Sequence, residues 1–282
     1  IKECDWSSDV CSSDLGVLLD LEDSIALAEK DAARKLVRGA LRALDFGGVE
    51  RVVRINGRDT PFFEKDLAEI VPARPDAVRL PKVDGPEDVL EADRIISRLE
   101  KENGIEPGTV RIQAMLETAR AIVNAAAIAA ASPRLSGLTL GGQDLAADLG
   151  IKATKDGREL LYAKSAVVIA AKASGLEAFD TVFTDVNDLE GLLEATRTAV
   201  SLGFSGKAAI HPSQVPVIHA AFAPSESEVR KARAVVRAAR EAEARGAGVV
   251  ALDGRMIDAP VVAQAERTLE LARLAGMEDA QA

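Results

Sequence analysis

The chain has 282 residues, with 45 acidic against 35 basic side chains and a formal charge of −10. That balance argues against a protein devoted to nucleic acid, although a local cluster of Arg and Lys can still hold an anion. No apolar run is long enough to span a bilayer and no signal peptide is readable, so the expectation is a soluble cytoplasmic protein with no membrane partner.

Residues 1–15 stand apart. They hold both cysteines, Cys4 and Cys11, the single Trp6, and a near-repeat of Ser-Ser-Asp, so they read as a foreign or disordered N-terminal segment. The remaining chain has no cysteine, and neither a disulfide nor a thiol nucleophile takes part. From Gly16 onward short β-like runs alternate with longer helical ones. The expected strands cover 17–21, 51–55, 77–81, 110–116, 138–140, 178–183 and 207–210. Helical patterns fill 26–44, 86–102, 119–131, 160–174 and 188–202, the third Ala-rich and apolar almost all round. Such alternation predicts an α/β fold with parallel strands and right-handed crossovers. Seven strands are visible where a (β/α)₈ TIM barrel needs eight, so the first strand and helix are expected to be missing or replaced. The barrel domain is assigned to 16–223, and a C-terminal helical appendage to 224–282. The appendage has helices at 225–245 and 259–275 around a Gly-containing extended stretch at 246–258.

The chemistry gathers where strands end. Glu117 and Asp144 each close an apolar run, and carboxylates from neighbouring strands can share one hard divalent cation. The same positions also suit first-turn acids of the following helices. Arg54, before the Asn56-Gly57 turn, can hold a carboxylate or enolate oxygen by forked hydrogen bonds, or pair with Asp20, Glu22 or Asp23. That acidic triplet is expected to orient Arg54 and Lys82, which follows Leu80-Pro81. Gly141-Gly142 beside Asp144 offers backbone N–H groups as a carboxylate cradle, which makes Gly142 a substrate-binding candidate. His211 reads as an acid or base, or as a group that shapes the rim loop; His219 is assigned nothing. Asp258 reads as the N-cap of the last helix, which Pro260 can start.

These motifs, in this order, resemble the citrate lyase β-subunit-like family of acyl-CoA lyases, within the broader HpcH/HpaI aldolase group. The matching stretches are Leu19 to Asp23, Val53 to Gly57 with Thr60, Leu80-Pro81-Lys82, Glu117-Thr118, Gly141 to Leu145, Gly203 to Lys207 with Ile210-His211-Pro212 and Gln214, and Gly254 to Asp258. The resemblance implies a (β/α)₈ barrel with Mg²⁺ on Glu117 and Asp144, substrate on Arg54, and Asp258 supplied by a neighbouring subunit to the acyl-CoA end of the reaction. It further implies a homo-oligomer, trimer or hexamer. The family's opening strand, Pro-rich turn and basic CoA-binding helix have no counterpart here.

The expected activity is cleavage or formation of the carbon–carbon bond of a 3-hydroxy-3-carboxyacyl-CoA, of citryl-CoA or malyl-CoA type. The products are an acyl-CoA and a 2-oxo acid. Three alternatives stay open: a malate synthase or thioesterase activity on the same site, a non-catalytic citrate lyase subunit that docks an acyl-carrier protein, and a class II aldolase for free 2-oxo acids.

Overall fold

The structure, a computed structural model, describes residues 16–152, 154, 156–244, 250–252 and 255–277, so the expectation for residues 1–15 lies outside the described part. The chain divides into two compact units after Ile218.

In the first unit seven parallel strands pair in chain order: β1 (Gly16–Asp20), β2 (Glu50–Arg54), β3 (Ala77–Leu80), β4 (Arg111–Leu116), β5 (Leu135–Leu140), β6 (Glu177–Asp180) and β7 (Gly206–Lys207). Each sits within a few residues of its expected run. The connecting helices are α1 (Lys30–Ala43), α2 (Phe63–Ile70), α3 (Pro86–Glu102), α4 (Ala119–Val123), α5 (Ala125–Ala129), α6 (Gly142–Asp148), α7 (Leu161–Ala173) and α8 (Leu189–Leu202), and α9 (Val215–Phe222) follows β7 across the boundary. Parallel neighbours demand such crossovers. β1 and β7 are the sheet's edges, and among the described residues no eighth strand joins this sheet.

The two-residue period of the strands sorts their side chains. On β4, Ile112, Ala114 and Leu116 join the apolar core with helix residues such as Ile95, Ile128 and Val167. Gln113 and Met115 point the other way, into the concave side. Register carries that inner face across the sheet through the pairs Asp20–Arg54, Arg54–Arg79, Arg79–Gln113 and Met115–Thr139. β3 and β6 are three strands apart, about 14 Å on a flat sheet, yet the Arg79 guanidinium lies 5.9 Å from the Phe179 ring centre. The sheet is therefore curled, with a polar interior.

The Ala-rich stretch at 119–131 is not one helix. It breaks at Asn124, whose side-chain amide donates to the Asp84 carbonyl at 2.8 Å instead of facing solvent. At the opposite end of the strands from Glu117, Arg134 donates to both carboxylate oxygens of fully buried Glu100, at 2.9 and 3.0 Å, and to Asp93 at 2.8 Å. This network ties α3 to the starts of β4 and β5.

The second unit contains α10 (Glu226–Ala244), the antiparallel strands β8 (Val250–Leu252) and β9 (Arg255–Ile257), and α11 (Ala259–Leu274). α10 and α11 pack through Ala232, Val236 and Ala265. Among the described residues no helix is long and apolar enough to cross a membrane.

Candidate active site

Glu117 directly follows β4 and is 2% exposed. Its Oε1 accepts the backbone N–H of Lys82 at 2.7 Å. Lys82 reaches this position with φ +53°, a left-handed backbone that non-glycine residues seldom adopt and that costs roughly 1 kcal/mol. Burial, and then the like charge of Asp144, push the Glu117 carboxyl up to about 8, against the lowering effect of the Lys82 hydrogen bond. Asp144 lies not at the end of β5, which stops at Leu140, but in the first turn of α6. It is exposed, and its carboxylate accepts no hydrogen bond from a described residue. The two acids nevertheless lie close enough for one to shift the other.

Arg54 ends β2, and its guanidinium is largely spent. Nε and Nη2 donate to the two oxygens of Asp20, both at 2.7 Å. Nη1 lies 3.0 Å from Glu22 Oε2. Of five N–H donors about two remain for another anion. Burial works against both charges, but the Asp20 carboxylate raises the Arg54 pKa, and the partnership with Arg54 helps hold Asp20 down at about 2. Lys82 Nζ is 3.1 Å from Glu22 Oε1 and 3.9 Å from Asp23. The triplet thus pairs with Arg54 and Lys82, and the Lys82 side chain stays half-exposed.

The glycines do not form an open cradle. The N–H of Gly141 is taken by the Leu116 carbonyl at 2.9 Å, and that of Gly142 by Thr181 Oγ1 at 3.0 Å. What they supply is closeness. A Cβ on Gly141 would stand 2.6 Å from Glu117 Cβ, and one on Gly142 2.9 Å from Thr181 Oγ1. Backbone can pass between Glu117 and Thr181 only without side chains.

His211 shapes its loop: Nδ1 accepts the Ser213 N–H at 3.2 Å. Asp258 is the N-cap of α11, with Oδ1 accepting from Val261 N at 3.2 Å. It belongs to the second unit.

Several supporting residues were not among the sequence candidates. Lys30 Nζ donates to the carbonyls of Leu21 and Glu22, at 2.8 and 2.7 Å. Asn56 donates to the Leu21 carbonyl and to buried Asp66, and Asp66 also accepts from Arg34. Together they hold the turn that presents Glu22. Asn56 was legible only as a turn residue, and Thr181 fell inside an expected strand. The one available signal was a polar residue close behind an apolar run.

A hard divalent cation fits this arrangement. Glu117 and Asp144 offer oxygen donors, and a positive ion between them would relieve the desolvation and repulsion that raise the Glu117 pKa. Among the described residues no cluster of three potential metal ligands occurs. The fit is therefore to an ion such as Mg²⁺, which is held by one or two carboxylates and completes its shell with water or substrate.

The family model described as HpcH/HpaI aldolase/citrate lyase matches residues 11–212. The citrate lyase subunit beta of Leuconostoc mesenteroides is 43% identical over 94% of this chain and 88% of its own length. The (3S)-malyl-CoA thioesterase of Cereibacter sphaeroides is 36% identical over 90% of this chain and 85% of its own. Among solved structures, CitE of Mycobacterium tuberculosis in complex with magnesium, acetoacetate and coenzyme A superposes with a TM-score of 0.75 at 37% identity, covering 93% of this chain and 90% of that one. With fold and sequence in agreement over most of its length, the chain belongs to the HpcH/HpaI aldolase/citrate lyase family.

Proposed function

We propose that the protein is a Mg²⁺-dependent carbon–carbon lyase. It cleaves, or forms, a 3-hydroxy-3-carboxyacyl-CoA of citryl-CoA or malyl-CoA type, with an acyl-CoA and a 2-oxo acid as the products. The observation that carries the reading is the carboxylate pair: buried Glu117, its carboxyl raised to about 8, beside Asp144. Family membership, and the magnesium and coenzyme A of the Mycobacterium tuberculosis structure, support it.

Glu117 and Asp144 would hold the ion, Glu117 oriented by the Lys82 N–H. Bound there, Mg²⁺ supplies Lewis-acid polarisation of the substrate hydroxyl and an adjacent carboxylate oxygen. Arg54 turns its remaining N–H groups toward the substrate carboxylate or the developing enolate oxygen, in an orientation fixed by Asp20 and Glu22. Lys82 adds positive charge at the rim. Asp258, from a neighbouring copy in a cytoplasmic homo-oligomer, serves the acyl-CoA end. The first unit is read as the TIM-barrel catalytic domain, and residues 224–282 as the appendage that brings Asp258.

The malyl-CoA thioesterase relative favours one second reading, hydrolysis of the thioester at the same site. The citrate lyase subunit relatives favour another, a subunit that works on an acyl-carrier protein. The deciding experiment incubates the purified chain with citryl-CoA, malyl-CoA and citramalyl-CoA in Mg²⁺, and measures 2-oxo acid and free CoA separately. The lyase reading expects a 2-oxo acid, abolished by EDTA. Free CoA without a 2-oxo acid would establish the thioesterase. Turnover of carrier-protein thioesters alone would establish the subunit.

A further inference from the structure

Asp144 poses a question of placement. Its side chain is exposed and accepts no hydrogen bond from a described residue, so among those residues it is the backbone of the first turn of α6 that carries its carboxylate toward Glu117. Two contacts of the preceding glycines hold that backbone. Gly141 N–H goes to the Leu116 carbonyl, at the base of Glu117, and Gly142 N–H goes to Thr181 Oγ1. The Thr181 contact is tight as well as polar, since a Cβ on Gly142 would meet Thr181 Oγ1, Cγ2 and Cβ at 2.9, 3.0 and 3.1 Å.

Thr181 is itself anchored. Lys207 Nζ donates to the Thr181 carbonyl and to Asp180 Oδ2, both at 2.7 Å. Asp180 is fully buried and also accepts from Lys164 of α7 at 3.2 Å. The Lys207 side chain is 1% exposed. Two buried ammonium groups share one buried carboxylate, and removing Asp180 would leave both ammonium groups uncompensated. Such a cluster fixes the end of β6 in one place. A continuous set of contacts therefore runs from α7 and β7, through Thr181 and the glycine pair, to the side of Glu117.

We infer that Thr181 is a positioning residue for the metal half-site: its hydroxyl, holding Gly142 N–H, sets the spacing of Asp144 from Glu117. The inference rests on the carboxylate-pair reading and adds to it a residue outside the pair. Groups that orient metal ligands without touching the metal typically change affinity by about 10–100-fold when removed.

The test titrates Mg²⁺ calorimetrically into wild type, Thr181→Val, Thr181→Ser and Glu117→Gln, and measures each melting temperature without metal. Thr181→Val keeps the shape and loses the acceptor, and Thr181→Ser restores it. The expected result is Mg²⁺ affinity about tenfold weaker in Thr181→Val and near wild type in Thr181→Ser. Wild-type affinity in Thr181→Val overturns the inference while leaving the carboxylate pair standing. Equal weakening in both Thr181 variants also overturns it, because keeping the hydroxyl would then rescue nothing. Undiminished binding by Glu117→Gln, or none by wild type, removes the carboxylate-pair reading and the inference with it. If Thr181→Val does not fold, Thr181→Ala carries the same comparison against Thr181→Ser.

Discussion

Glu117 is held in a state that suits a ligand and not a fold. An acid whose folded pKa lies above its ordinary 4.5 costs nothing below that pH, and its cost grows as pH rises toward about 8. Glu117→Gln should therefore stabilise the metal-free protein at pH 8 by about 3–5 kcal/mol while abolishing Mg²⁺-dependent turnover. Denaturant melts with and without Mg²⁺ check this, and a Gln variant no more stable than wild type would refute the assigned environment. Asp20 has the opposite sign. Burial opposes its charge, but hydrogen bonds from Arg54, Ser24 and Glu22 hold it at about 2. Its contribution, roughly 2 kcal/mol, is complete above the unfolded value of roughly 3.9 and is lost as pH falls through 2. Asp20→Asn should flatten the stability profile between those values, as acid titration of both proteins would reveal. Arg54→Lys should cut kcat/KM by about a hundredfold despite the retained charge. One ammonium cannot hold Asp20 by two parallel bonds, face Glu22 and keep donors for substrate. Wild-type kcat/KM in the Lys variant would make Arg54 structural.

At the level of elements, the outcome at Asp258 turns on the helix it begins. As the N-cap of α11 it should contribute about 1 kcal/mol, lost in Asp258→Ala with per-site activity unchanged. As a catalytic group in a shared site its loss should lower turnover by about a hundredfold and leave stability nearly intact. Thermal melts and steady-state rates on one preparation separate the two. The strands were legible because short apolar runs ended in turn residues, and α3 because Pro86 opens it and an apolar stripe follows. The break at Asn124 was not, since an Asn inside an Ala-rich run shows nothing of a carbonyl forty residues away. The glycine pair misled for a related reason. Sequence displays an unobstructed N–H but not the threonine that already occupies it.

On the scale of the whole sheet, β4 lies in the middle with β5 beside it, and β1 and β7 at the edges. Native-state hydrogen exchange should follow that order, with β4 and β5 amides the slowest and β1 and β7 opening first. Equal protection of β1 would show that another partner covers its edge. Strand order could be anticipated from alternation alone, whereas the polar interior could not. Arg79 and Gln113 sit in apolar runs that say nothing of their pairing, yet Arg79 donates twice to Gln113 Oε1, at 3.1 and 2.7 Å, inside the curl.

Position 82 touches Glu117 through its main chain, while its side chain faces outward beside Glu22. Scaffold and specificity are thus separable at a single residue. A directed library at 82 can vary the charge and size presented to incoming acids without dislodging the carboxylate. Glycine and asparagine, which tolerate the left-handed backbone, are its safest starting points.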